Sequence, residues 1–398
     1  MFNLLALCLV ACSSVFWRSS EAGIFNANLD KTDTSLIVTC DPKHTTVWGY
    51  TFKATEVDNV KLKREFLVEY DTGVGEINAC DKKEVEKWVE SLAKKLKPRL
   101  KKKYWPRTTL TFVASYFESC LPKDFESKML PVAIAHAKTL GFTVTNSQSV
   151  LRIDSKNKFG LTWFGLNLLL GTLQNPAAAV GITKHRTGVA FSCKDGKPTD
   201  SDVYGINAKN MHFSLYLQST SSGIDDVRKT VLKLSKSLGG NNLETYCIKS
   251  TTKSKWEYKN QEYTVRGVGD NKATVDYAAC ENEVRQIISK LPPSRPLCGQ
   301  KVYALAEMYT TAFFIDAVNK EVLNATVKEI GAKAKEFCET RETMDPFTCM
   351  DAAYMHVLLK EHYKLGDSDT IQFRNTIKGI NVHWHLGVAY IKRFTNVK

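Results

Sequence analysis

The residues best placed to do chemistry sit in a polar turn between two apolar runs. Residues 35–54, SLIVTCDPKHTTVWGYTFKA, pass through Asp41, Pro42, Lys43 and His44 into a run where Val47, Gly49, Thr51 and Lys53 alternate with Trp48, Tyr50, Phe52 and Ala54. That alternation reads as a strand, so the whole stretch reads as a hairpin. Such a hairpin is either scaffold or a cradle whose backbone N–H groups approach phosphate oxygens. A second basic feature is KKLKPRLKKKYWPR at 94–107, where Lys94, Lys95, Lys97, Arg99, Lys101, Lys102, Lys103 and Arg107 make eight of fourteen residues cationic. A helix with Leu96 and Leu100 inward would show lysines outward, and Pro98 marks a bend or an end. The density nevertheless suits an extended polyanion such as a sulfated glycan. Tyr104 and Trp105 could stack on a ligand, but read better as core anchors of the strand that follows. His383 and His385 alternate on an expected strand and would share a face, as metal ligands can, although a structural role suits them better. No G-x-S-x-G or C-x-x-C motif supports a serine nucleophile, a zinc ribbon or a redox pair.

The elements that must carry these residues follow from length and pattern. Residues 1–22 read as a signal peptide: Leu4 to Trp17 is apolar but too short to span a bilayer, and Ser20-Glu21-Ala22 fits a small-x-small cleavage site. The remainder exceeds what one core usually serves, so two lobes are expected. Leu161 to Val180 is interrupted by Asn167, Gln174, Asn175 and Pro176, and reads as a buried helix and a turn, so no transmembrane anchor is expected. The net charge of +13 favours anionic partners. Of eleven cysteines, Cys8 and Cys12 fall in the leader, and in an oxidising compartment most of the rest should pair. Cys338 and Cys349 bracket a short loop, Cys247, Cys280 and Cys298 cluster, and Cys80 and Cys120 are further candidates; the odd count leaves one over. Asn324-Ala325-Thr326 is a glycosylation sequon.

After the hairpin, Val85, Trp88, Val89, Leu92, Leu96 and Leu100 recur at helical spacing. Strands are expected at Thr108 to Tyr116 and Phe142 to Ile153, flanking a helix at about Phe125 to Leu140. Further strands at Thr187 to Cys193 and Met211 to Gln218 precede a helix at Ile224 to Leu238, with helices through the last third. Two mixed α/β lobes, each opened by a strand pair, is the economical architecture.

Five segments in order, SKNKFGLTWFGLNLLLGTLQNP (155–176), LYLQSTSSGIDDVRKTVLKL (215–234), VDYAACENEVRQII (275–288), VYALAEMYTTAFFIDAV (302–318) and NVHWHLGVAYI (381–391), resemble the ectonucleoside triphosphate diphosphohydrolases, or apyrases. The resemblance runs from about Ser35 to the C-terminus. It implies an actin-like (ribonuclease H-like) α/β fold of two lobes around a central cleft, with the phosphates gripped by one hairpin from each lobe. Lobe I is expected at 23–154, completed by 373–398, and lobe II at 155–372. The resemblance places the first phosphate hairpin at the opening stretch and the second at GITKHRTGVAF, 181–191.

In that family each hairpin carries an aspartate that positions a divalent metal, followed by small residues. Here Thr39 takes the first aspartate's place and Cys40, Asp41, Pro42 and Lys43 replace the small-residue turn. Gly181 takes the second, with Thr183-Lys184 and His185-Arg186 at the glycines and small residues that follow. Asn157 and Lys158 stand near the position of the water-activating glutamate, and ASYFESC at 114–120 replaces another turn of the family. On this alignment Lys43, His44, Lys158, Lys184, His185 and Arg186 converge on the cleft, turning a metal site into an anion site. Tyr309 matches an aromatic of the base-binding region, with Thr310 in place of a second. Tyr216 and Ser219 match family positions that packing explains.

The expectation is a secreted apyrase-like pseudoenzyme that binds a nucleotide or another phosphate or sulfate anion without efficient hydrolysis, and without metal or cofactor. One alternative is an active nucleoside tri- or diphosphatase with Ca or Mg, using Asp41 or Asp154. Another is an extracellular protein whose 94–107 patch binds a glycosaminoglycan or a receptor.

Overall fold

The computed structural model describes residues 32–41, 43–56, 59–115, 124–144, 150–184, 186–193, 203–208, 211–220, 223–234, 241–269, 274–341 and 345–394. The first sheet is built from β1 (Thr32–Cys40), β2 (Thr45–Glu56), β3 (Asn59–Tyr70), β4 (Thr108–Ser115) and β5 (Val150–Ile153), in the order β3-β2-β1-β4-β5. β1 runs antiparallel to β2 and parallel to β4. Helices α1 (Lys82–Leu96) and α2 (Leu130–Thr139) cover one face. The stripe Val85, Trp88, Val89, Leu92 and Leu96 is buried there, as its helical spacing predicts, and Asp81 caps α1 by accepting from the N–H groups of Lys83 and Glu84.

α3 (Ser155–Leu170) begins at the cap Asp154 and ends at Gly171 in the left-handed conformation. The second sheet contains β6 (Ala178–Ile182), β7 (Thr187–Phe191), β8 (Val203–Ala208) and β9 (Met211–Thr220), followed in the chain by α4 (Ile224–Leu234). A side sheet of β10 (Asn242–Thr245), β11 (Lys253–Tyr258) and β12 (Gln261–Gly267) leads to α5 (Tyr277–Ile288). Then come β13 (Val302–Ala306), α6 (Glu307–Phe314), β14 (Asn324–Thr326), α7 (Val327–Thr340), α8 (Thr348–Val357) and β15 (Thr370–Phe373). The second sheet has the order β14-β15-β13-β6-β7-β9-β8, with the β6–β7 hairpin inside it. A small hairpin of β16 (Thr376–Ile377) and β17 (Ile380–Asn381) returns the chain to α9 (Trp384–Phe394).

α3 and α9 lie together between the two sheets. Their core joins Ile37, Trp48, Tyr50 and Phe52 of the first sheet to Ala179, Ala190, Leu215 and Leu217 of the second through Trp163, Phe164, Leu386 and Ala389. This is why α3 is apolar on nearly every side: it is buried from two directions. The helices touch at Gly387, where an added Cβ would lie 2.5 Å from the carbonyl oxygen of Leu161. Truncating the fully buried Trp163 to alanine should cost about 3–5 kcal/mol.

Three disulfides tie the second lobe: Cys193–Cys298, Cys247–Cys280 and Cys338–Cys349. Cys298 therefore pairs with Cys193, a residue the sequence reading had not picked out, rather than with its neighbours Cys247 and Cys280. Cys40 is a buried free thiol and Cys80 an exposed one bonded to no described cysteine; Cys120 lies outside the described residues.

Of the expected 142–153 strand, Val150–Ile153 form β5 and Thr143 makes one parallel bridge to Thr109, while residues 145–149 lie outside the described residues. The helix expected to reach Leu238 is α4, described to Leu234, with residues 235–238 outside the described residues. One expected element is corrected. His383 and His385 do not share a strand: β17 ends at Asn381 and His385 lies in the first turn of α9. The alternation in Val382-His383-Trp384-His385 imitates a strand, but docking against α3 makes the following apolar run a helix.

Candidate functional site

The first turn closes with the Asp41 N–H donating to the His44 carbonyl at 3.0 Å, while the Asp41 carbonyl accepts from the Val74 N–H. Lys43 and His44 are exposed, and Pro42 is outside the described residues. Half-burial raises the Asp41 carboxyl above its ordinary range, opposed by the positive charge of Lys158 and His44. Lys158 comes from the first turn of α3, where its N–H donates to the Asp154 carbonyl at 3.1 Å. Its ammonium is largely buried, which lowers its pKa; Asp41 opposes that shift, Arg186 adds to it, and Asp154 opposes it more weakly. The same ammonium lies 5.1 Å above the Trp384 ring. Asp154 itself is the helix cap, accepting from the Asn157 N–H at 2.6 Å, so its carboxylate holds the helix that carries Lys158.

The second turn joins β6 to β7. The Thr183 N–H donates to the Arg186 carbonyl at 2.7 Å, and the Arg186 N–H donates to the Thr183 hydroxyl at 3.0 Å. Two amides of the turn are thus engaged inside it. Arg186 is half-buried and reaches the field of Lys158, whereas Lys184 is exposed and turns to Asp225 at 3.8 Å. Of the basic residues expected to converge, the structure brings His44, Lys158 and Arg186 around Asp41 and one another, whereas Lys184 approaches Asp225 of α4 and His185 lies outside the described residues.

The two positions assigned to metal-positioning aspartates are both closed by rings. The Thr39 hydroxyl is buried and lies 3.1 Å from His385 Nε2, and the His385 ring stacks on Trp384 at 3.6 Å and on Trp48 at 4.9 Å. Burial lowers the pKa of His383 to about 4 and that of His385 well below its ordinary value, so both imidazoles are neutral near pH 7. His385 Nδ1 has no hydrogen-bond partner among the described residues. On the second hairpin, Gly181 pairs across the strands with Gly188. A Cβ at Gly181 would lie 3.0 Å from the Phe159 ring and one at Gly188 would lie 3.1 Å from it. Nothing larger than glycine fits there unless Phe159 moves.

Beside the second turn is a group that sequence reasoning missed. Arg228 of α4 forms a two-pronged pair with the buried Asp351 and lies 3.7 Å from Asp225 and 3.6 Å from Asp345. Burial pushes the Asp351 carboxyl up to about 6 against the pull of Arg228. Glu307, at the start of α6, is raised by burial and feels both Arg228 and Asp225. Arg228 stands where a cation shared by these acids would sit, and among the described residues no group of three His, Cys, Asp or Glu side chains could hold a metal ion. The described residues thus offer no ready-made set of ligands for a divalent metal. The one sequence signal was the Asp225–Arg228 spacing on an amphipathic helix.

The remaining candidates are scaffold or surface. Tyr309 stacks with Phe313 on α6 at 6.3 Å, against the core of the second lobe. Lys94, Lys95, Lys97, Arg99, Lys101, Lys102, Lys103 and Arg107 are all exposed, while Trp105 is buried and stacked on Phe142, the anchor its sequence position suggested. Asn324 is exposed on β14, and Thr326 of the sequon caps α7 with Glu329.

Two sheets joined through α3 and α9 define the actin-like two-lobe α/β class. A solved nucleoside triphosphate hydrolase from Neospora caninum superposes with a TM-score of 0.66 at 10% identity, covering 92% of each chain. The chain belongs to the GDA1/CD39 (nucleoside phosphatase) family, whose model matches residues 28–397. It is similar to ectonucleoside triphosphate diphosphohydrolase 5 of Bos taurus, 23% identical over 98% of this chain and 96% of that one. It is likewise similar to the nucleoside-diphosphatase uda-1 of Caenorhabditis elegans, 22% identical over 83% of this chain and 74% of that one. Among the described residues no helix is long and apolar enough to cross a membrane.

Proposed function

We propose that the cleft binds a nucleotide, of the nucleoside diphosphate class, or another phosphate or sulfate anion through Lys158 and Arg186, without a metal and without efficient hydrolysis. The observation that carries this reading is the Phe159 ring against Gly181, which would have to shift by a few tenths of an ångström before any side chain, a metal-positioning carboxylate included, could stand there. Phosphoryl transfer to water needs charge neutralisation on the phosphoryl group and an oriented water. Fixed cations can hold a phosphate in the ground state, but Asn157 and Lys158 cannot serve as a carboxylate base. With turn amides already engaged, charge-assisted contacts supply the binding. The relatives named as diphosphatases support the nucleoside diphosphate class. The same reading has the chain secreted, supported by the leader-like residues 1–22 and by three disulfides.

A second reading, an active phosphatase, rests on Asp41. Its half-buried carboxyl with a raised pKa is the kind of group that serves as a general base. The two readings separate in one experiment. Calorimetry with ADP in a chelator gives binding under the first, and phosphate release from ADP with calcium or magnesium, lost in Asp41→Asn, is required by the second.

A further inference from the structure

We propose that the end of the first sheet remote from the 41–44 turn is a docking surface for a linear sulfated polysaccharide. The basic segment after α1 leads into β4, whose first residue Thr108 pairs with Thr34, six positions along β1 from Cys40 at the turn. The segment therefore lies at the opposite end of the strands from the candidate cleft. The fold adds cations that are distant in sequence. Arg64 of the edge strand β3 donates to the Arg99 carbonyl at 3.2 Å, with its guanidinium 5.3 Å from the Phe66 ring. Burial and the charge of Arg99 both lower the Arg64 pKa. Lys61 stands directly opposite Lys53 across β2 and β3, a like-charge pairing that costs stability in an isolated sheet. Lys95 of α1 is set apart from this patch, because it reaches the Glu69 carbonyl at 3.1 Å, at the end of β3 beside the 41–44 turn.

These cations are exposed, and among the described residues no carboxylate pairs with Lys61, Arg64, Arg99 or lysines 101 to 103; Arg107 alone of the segment approaches one, Asp33 at 3.9 Å. Two like-charge juxtapositions without counter-charges are what a polyanion would relieve. The chemistry selects among polyanions. Trp105 is buried and Lys103 lies 4.9 Å from the Tyr104 ring, so no bare aromatic face is offered to a base. The large exposed apolar side chains, Val203, Leu234, Tyr246, Phe314 and Val322, all lie elsewhere, so nothing here would enter a bilayer. Lysine predominates, which suits point-charge contacts with sulfate better than the bidentate contacts of base recognition. Three disulfides are those of a compartment where sulfated glycans occur.

The test uses the full chain, immobilised heparin, and three variants: K101Q/K102Q/K103Q, R64Q, and K320Q/K328Q/K335Q as a control of equal charge change on the second lobe. The expected result is a loss of about tenfold in heparin affinity at ~0.15 M salt for the first variant and a smaller loss for R64Q. The control should stay within about twofold, as exposed charges outside a contact do. Heparin stripped of both its N- and O-sulfates should not compete. Equal losses in the patch and control variants would overturn the proposal by reducing it to bulk charge. Tighter binding to a DNA duplex or to phosphatidylserine vesicles than to heparin would overturn it as well.

Discussion

The two hairpins that reach Lys158 are closed in different ways. In the first, a threonine hydroxyl at position 39 is held by a neutral histidine packed between tryptophans, and the only carboxylate of the turn, Asp41, faces an ammonium. In the second, the strand pair Gly181–Gly188 is bare and a phenylalanine ring lies over it, while the acids nearby gather around Arg228 on α4. The first hairpin closes on its neighbours by a hydrogen bond and the second by close packing. Around both, the charge that faces the turn residues is cationic: Lys158 acts on Asp41 and feels Arg186. The acids have not vanished from the second lobe; they are consumed by an internal guanidinium.

That contrast is most exposed to Arg228→Met. Breaking a buried pair leaves Asp351 charged among Asp225, Asp345 and Glu307, and should cost about 3–5 kcal/mol in urea unfolding. Adding Asp351→Asn to it should recover part of the loss; an additive further loss would show that the acids do not depend on Arg228. On the first-hairpin side the signature is in acid. His383 has a folded pKa of about 4, below the ordinary 6.5, so its contribution is present above pH ~6.5 and is lost as the pH falls from there through about 4. Unfolding followed over that window should show the loss, and His383→Phe should flatten it. Lys158→Met should weaken ADP binding by about 1.5–3 kcal/mol, the worth of a charge-assisted contact. An unchanged Kd would place the anion elsewhere. Gly181→Asp tests the steric half: it should destabilise by about 1–3 kcal/mol through crowding of Phe159 and should not create calcium-dependent phosphate release.

Much of this was legible beforehand. The period-two run at 45–54 and the stripe from Val85 to Leu96 announced β2 and α1, because local geometry and burial there follow the same pattern. The assignment of Thr39, Gly181 and Lys158 to positions where the family carries acids is what the resemblance implies. What filled the space was not legible. Phe159 reads as one more apolar residue of α3, and only the packing of that helix beneath the second hairpin puts its ring on Gly181. The Arg228 cluster joins residues 225, 228, 307, 345 and 351, whose proximity is set by tertiary folding with no local signal. His383 and His385 misled because four residues of alternation cannot distinguish a strand from the start of a buried helix.

The most direct test is isothermal titration of the full chain with ADP, first in a chelator and then with calcium, alongside a phosphate-release assay. Binding that persists in the chelator, is lost in Lys158→Met and is not tightened by calcium is the predicted result. Sustained calcium-dependent release of phosphate, or no heat of binding under either condition, would contradict it.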